Sequence, residues 1–308
     1  MSSSATLATP RASSSRSPVW PGLALAMAGS IAFSGKAIIV KLAYRYGVDA
    51  VTLIFYRMLF AAPLFALIAW WSGRGKPPLL RRDWLGILGL GVSGYYLASF
   101  LDFLGLQYIT ANLERLILYL NPTLVLALSI LLFKKQVSGR QLVAIGVSYA
   151  GVLLVFGHEL GFQHARNVPL GAVLVFASAV SYAIYLVYSG ELVQRLGSLR
   201  LVGWASLVAC AFCIGQFLVL RPLSAAAVAP QVIWLSVLNA TACTVAPVLM
   251  VMMAIERIGA TLAAQTGMIG PLSTITMSAL ILGEPFTSWT AAGTVLVLAG
   301  IWLLAKWR

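Results

Sequence analysis

The sequence predicts an all-α membrane protein of ten transmembrane helices, arranged as two inverted repeats of five. Three observations carry this. First, the 308 residues are 60% hydrophobic and only 9% charged, with mean hydropathy +0.93. A soluble domain holds about 25% charged residues, and a water-soluble fold of this composition has nothing with which to cover its surface. Second, the apolar residues fall in long runs, which suits helices; the strands of a membrane barrel alternate instead. Third, residues 102–155 align without a gap onto residues 251–304, at an offset of 149. Pro122 falls on Pro271, Ala111 on Ala260, Ser129 on Ser278, and Ala150-Gly151 on Ala299-Gly300. Nine of 54 positions are identical, too few to decide between apolar segments unaided. The shared breaker, the shared Ala-Gly pair and the equal spacing of polar gaps make this an internal repeat, a signature of transporter folds.

The elements follow in order. Residues 1–18 are rich in Ser, Ala and Thr, contain Arg11 and Arg16 and no acid, and cannot bury a core; they read as a disordered cytoplasmic tail. Crossing ~30 Å of hydrocarbon takes about 20 apolar residues. Windows of that length place the first repeat (19–157) in spans at about 20–42, 50–71, 84–106, 111–133 and 139–156. The second repeat (168–308) has spans at about 168–189, 201–220, 231–255, 260–282 and 288–304. Five spans per half is an odd number, so the second half enters the membrane upside down relative to the first.

Of the 21 Lys and Arg residues, fourteen fall on the side of the N-terminal tail, five on the other side, and two, Lys36 and Arg57, within spans. This asymmetry puts both termini in the cytoplasm of a multi-pass protein of the cytoplasmic (inner) membrane. It also accounts for the net charge of +13 through orientation signals, without nucleic acid. Cys210, Cys213 and Cys243 all lie in spans; the Cys-x-x-Cys spacing has no second pair or nearby His and reads as apolar packing. Gly89, Gly91 and Gly94 fit a dinucleotide-binding pattern, but inside an apolar helix with no preceding strand they read as small-residue packing. His158 and His164 fall in an outer loop and form no metal set.

Several local patterns carry a family resemblance: Ala32-Phe33-Ser34-Gly35-Lys36-Ala37, a polar break in the first helix; Tyr108-Ile109-Thr110-Ala111 and Asn121-Pro122; and their echo in Ile258-Gly259-Ala260-Thr261, Gly270-Pro271 and Leu282-Gly283-Glu284-Pro285. On these the chain, from about 20 to 307, resembles the EamA-type ten-helix branch of the drug/metabolite transporter superfamily. The resemblance implies a ten-helix transporter fold and leaves the substrate open. One departure stands out: Lys134-Lys135-Gln136 occupies the place where the first half would repeat Gly283-Glu284. Glu284 therefore reads as a helix-end residue.

Charged side chains inside spans cost about 2.5–3.5 kcal/mol each on insertion scales and need a reason. Lys36, Arg57, Asp102, Glu114 and Arg115 all belong to the outer half of the first repeat, and their counterparts at the 149-residue offset are Tyr185, Ser206, Val251, Ala263 and Ala264. This predicts an asymmetric polar cavity lined by helices one to four, with three bases and two acids, suited to a carboxylate-bearing substrate. Asp102 is expected to pair with Lys36 or Arg57, or to carry a coupling proton; Glu114 and Arg115 could instead reach the interface. Tyr182 and Tyr185, with Asn239 and Gln265, are further substrate candidates, with packing as the alternative. Pro122, Pro247 and Pro271 are hinge candidates. The expected function is a secondary transporter that exports small metabolites, amino acids or other carboxylates, by alternating access. Its expected partners are a small-molecule substrate, the lipid bilayer and a proton, with no nucleic acid, cofactor, metal or catalytic residue. The rival readings are a channel and, further off, a membrane-embedded enzyme.

Overall fold

The computed structural model describes residues 19–133, 138–162, 167–258, 266 and 269–306. Among these every regular element is helical. In the first half, α1 (Val19–Tyr44) and α2 (Ala50–Gly73) are unbroken. The third span is α3 (Arg81–Leu90), a π-helical segment (Gly91–Leu97) and α4 (Ala98–Gly105). The fourth divides into α5 (Ala111–Leu118) and α6 (Asn121–Phe133), and α7 (Gly139–Phe162) closes the half. The second half has α8 (Val168–Leu196) and α9 (Ser198–Leu220), then α10 (Pro230–Ala240), a π-helical segment (Thr241–Val245) and α11 (Ala246–Ile258). Last come α12 (Gly270–Met277), which runs into a π-helical segment (Ser278–Leu282), and α13 (Ser288–Lys306).

Eight of these segments are long and apolar enough to cross a membrane, and two shorter apolar helices, Leu272–Leu282 and Ser288–Leu304, follow them. The first part of the expected ninth span lies outside the described residues. The fifth is longer than the apolar window: α7 continues to Phe162 and takes in Glu159 and His158, whose ring lies 5.9 Å from that of Trp289. His158 is therefore part of a helix, where the sequence suggested a loop.

The 149-residue register, visible in sequence only over the last third of each half, governs the whole fold. α1 and α8 start at Val19 and Val168, α3 and α10 at Arg81 and Pro230, α6 and α12 at Asn121 and Gly270, α7 and α13 at Gly139 and Ser288; each pair keeps the offset. The π-helical segments of the third and eighth spans also coincide under it. Packing obeys the same exchange. α1 lies on α11 as α8 lies on α4, while α2 on α9 and α7 on α13 are pairs that map onto themselves.

Small residues set the closest of these crossings. A Cβ on Gly151 would sit 2.6 Å from the carbonyl oxygen of Gly293, and one on Gly300 would sit 2.7 Å from that of Ala144. The offset carries one contact into the other, which explains the shared Ala-Gly pair: backbones pack directly where no side chain intervenes. Gly91 and Gly94 likewise abut Val208 and the Tyr185 ring.

A π-helical turn widens the helix and turns carbonyls outward. Here serine and threonine hydroxyls add hydrogen bonds to carbonyls in and beside these segments. Ser181 donates to the carbonyl of Ser93 (2.7 Å) and Ser178 to that of Ala98 (2.6 Å), both from α8; Thr244 donates to that of Asn239 (2.8 Å). The proline positions follow the same logic. Pro122 and Pro271 stand in the first turn of α6 and α12, where the lost N–H is least costly. Pro247 closely follows the π-helical segment, inside the continuous helical span Pro230–Ala254, and Pro63 stands inside α2.

Candidate functional site

Three helices bring the charges together. α1 carries Lys36, α4 carries Asp102 and α5 carries Glu114. The Lys36 ammonium donates to Asp102 Oδ2 at 2.5 Å and lies 3.3 Å from Glu114 Oε1. Glu114 is fully buried and Asp102 nearly so. The interface reading therefore fails for Glu114: its side chain points inward to the lysine.

Arg115, next to Glu114, turns the other way. Its Nε donates to the Thr274 hydroxyl (3.0 Å) and its Nη2 to the Phe33 carbonyl (2.9 Å). Ser34 donates to the carbonyl of Gly270 at 2.9 Å. Together these bonds tie α1 and α5 to the first two turns of α12.

Arg57 on α2 is 6% exposed. Its Nη2 reaches the Ser99 hydroxyl only at 3.5 Å, and its guanidinium carbon lies 4.9 Å from the centre of the Phe103 ring. Nε and Nη1 have no hydrogen-bond partner among the described residues. Asp102 and the three cysteines make up its electrostatic surroundings. Asp102 thus takes Lys36 and leaves Arg57 with an open guanidinium.

Asn239 is wholly buried at the end of α10, and neither atom of its amide has a partner among the described residues. α10 packs on α1 and α2, the helices of Lys36 and Arg57. Gln265 lies outside the described residues. Tyr185 occupies in α8 the position of Lys36 in α1; its hydroxyl lies 3.2 Å from that of Tyr95, and its ring 5.5 Å from that of Tyr182. Tyr188 is half exposed and takes no part. Lys36, Asp102 and Glu114 face one another, and two surface depressions, about 450 and 370 Å³, are lined by other residues.

A second polar group closes the end of the bundle beyond this cluster. Glu284 accepts from the backbone N–H of Ala111 (3.2 Å), from the Ser278 hydroxyl, and lies 3.6 Å from Lys41. It does cap a helix, but the helix is α5, the bearer of Glu114, where an acid also complements the helix dipole. Glu159, from α7, binds the Thr110 hydroxyl beside it. Arg45 donates to the Leu282 carbonyl at 2.7 Å. The sequence signalled little of this, since Lys41 and Arg45 counted only among the basic residues of the outer side and Glu159 fell past the apolar window.

At the same end Asp49 caps α2, accepting from the N–H of Val51 (2.9 Å) and Thr52 (3.3 Å), and pairs with Arg221 at 3.2 Å. Burial alone would push its carboxyl up, but the hydrogen bonds from Thr52 and Arg221 outweigh this and hold it below the ordinary carboxylate value.

A helical bundle with eight membrane-crossing segments and charges buried between them is a multi-pass membrane protein. The comparisons are specific. Residues 20–157 and again residues 169–306 match the EamA-like transporter family, and the chain belongs to it. It is 32% identical over 274 residues to the uncharacterized transporter YcbK of Bacillus subtilis, covering 85% of this chain and 86% of that protein. An uncharacterized transporter of Archaeoglobus fulgidus is 26% identical over 283 residues, covering 91% and 95%. A solved crystal structure shares the fold with TM-score 0.62 at 16% identity, over 92% of this chain and 95% of that one. The chain is thus a membrane transporter of the EamA family.

Proposed function

We propose that this chain is a secondary transporter of the cytoplasmic membrane that exports small carboxylate-bearing metabolites by alternating access. Its ten spans form two five-helix repeats of opposite orientation, with both termini cytoplasmic. The arrangement follows from the odd number of spans per half, the matching register of the halves and the excess of basic residues on one side. The observation that carries the substrate class is Arg57: a guanidinium buried within the outer half of the first repeat, whose Nε and Nη1 are unpartnered because the nearby acid is taken by Lys36. A buried cation without a partner is costly, and a bound carboxylate supplies one. Asn239, Tyr182 and Tyr185 complete the candidate substrate contacts, and the interruptions before Pro122, Pro247 and Pro271 are where the helices would bend.

The test is counterflow in proteoliposomes with labelled carboxylates, amino acids among them. A carrier gives saturable uptake accelerated by unlabelled substrate inside. Unsaturated conductance would instead identify a channel. Arg57→Gln should abolish exchange of carboxylates while leaving the protein folded.

A further inference from the structure

Lys36, Asp102 and Glu114 form a closed group whose charges do not balance. One ammonium serves two carboxyl groups, at 2.5 and 3.3 Å. Both acids touch the same nitrogen, so they lie within the ~4–6 Å over which two like charges oppose each other's ionisation. If both were ionised the triad would hold a net negative charge inside the bundle, where isolated charge is strongly disfavoured.

Among the described residues no second cation is paired with either acid. Arg115 lies beside Glu114 on α5, but its guanidinium is engaged with Thr274 and Phe33. Arg57, across from Asp102 on α2, faces Ser99 and Phe103. From α7, Glu159 is bound to Thr110, and Tyr44 of α1 donates its hydroxyl to the carbonyl of Phe103 at 2.5 Å. From α8, α12 and α13, which also pack on α5, no charged side chain is paired with Glu114 among the described residues.

We propose that Glu114 is a proton-binding site: it holds a proton at neutral pH while Asp102 keeps the direct hydrogen bond from Lys36. Two features select Glu114 over Asp102. Asp102 makes the short, direct hydrogen bond to the ammonium. Glu114 is the more distant of the two and the more deeply buried, and neither of its oxygens forms a geometrically sound hydrogen bond among the described residues. The step is a plain acid dissociation. The carboxylic O–H of Glu114 breaks, its proton passes to water when the site opens to one side, and the carboxylate left behind draws closer to Lys36; protonation from the other side reverses this. The inference rests on the transporter reading for its biological role, where Glu114 becomes the coupling group.

The experiment needs no substrate. Infrared titration of the purified full-length protein, from about pH 5 to about pH 9 to span the range of shifted buried carboxyls, reads the carbonyl stretch of protonated carboxylic acids. The wild type should show such a band at neutral pH, and Glu114→Gln should lose one carboxyl's worth of it. Glu159→Gln serves as a control for the other buried glutamate. Lys36→Met should keep the band to higher pH, because the two acids then face each other with no cation. Should Glu114→Gln fail to fold, the Lys36→Met shift alone decides. An absent band in the wild type, a full band in Glu114→Gln, or an unmoved titration in Lys36→Met would overturn the assignment. Counterflow speaks separately to carriage: a protonated Glu114 in a protein without exchange would refute the transporter reading and leave the proton site standing.

Discussion

The two halves use one backbone plan for opposite interiors. Around α1 the plan holds Lys36, Asp102 and Glu114; around α8 the same plan holds Tyr185, stacked with Tyr182 and bonded to Tyr95. Ser206 stands where Arg57 does, and Val251 where Asp102 does. Gly94 accepts the Tyr185 ring; its counterpart Cys243 packs beside Gly35, next to Lys36. Shared positions thus build the scaffold, and the residues that differ decide the chemistry. One copy is free to carry costly buried charges because the other supplies a neutral, well-packed mate.

The strongest way to break this comparison is to treat the two matched positions alike. Lys36→Met leaves two buried acids without their cation. It should cost about 3 kcal/mol of stability and lower counterflow at least tenfold, a rise of ~1.4 kcal/mol in the transport barrier. Equal loss of transport on Tyr185→Phe would show that the charges confer nothing special. Next come the self-matching crossings. Gly151→Ala and Gly300→Ala each force a Cβ against a backbone carbonyl and should each cost about 1–3 kcal/mol, read from thermal unfolding in detergent. If only one of them does, the two contacts do not share the crossing evenly.

Tyr185→Phe should remove about 1 kcal/mol of stability through the lost contact with Tyr95 and, because it takes only a hydroxyl from a candidate substrate contact, should lower counterflow less than Lys36→Met does.

The smallest effect concerns helix starts. α2 has Asp49 as its cap, whereas α9 begins at Gly197 with no side-chain cap. Asp49→Asn keeps a cap and removes the charge, so it should cost only a few tenths of a kcal/mol at an exposed pair. Because the folded Asp49 carboxyl lies below its unfolded value, its contribution is present above the unfolded pKa of about 3.9. It fades as pH falls through the folded value. The difference between Asp49→Asn and wild type should therefore be flat from about pH 5 upward and close only below about pH 4, as melting curves across pH would report.

The charges were legible in the sequence because each interrupts an apolar run, and hydrocarbon makes such interruptions expensive. Their pairing was not. Whether Glu114 reaches the interface or Lys36 depends on a helix 78 positions earlier in the chain, and no local pattern encodes it. The register between halves was readable at Pro122 and Pro271 but silent from 19 to 101, where side chains diverged and only helix starts kept step, to within one residue. Glu159 was missed because hydropathy windows end at the last apolar residue, while α7 continues until its carboxylate meets Thr110. For the same reason the polar cavity expected from the charges is a closed cluster here: composition counts charges but cannot say that they face one another.

The π-helical segments of the third and eighth spans occupy corresponding places although the surrounding sequences share little. Pro247 cannot have caused both, since Ala98 stands in its place in the first half. The widened turn therefore belongs to the backbone plan that the halves share, whatever side chains fill it, and it gives each half a point of bending beside α1 or α8 that does not depend on the charges of the first half.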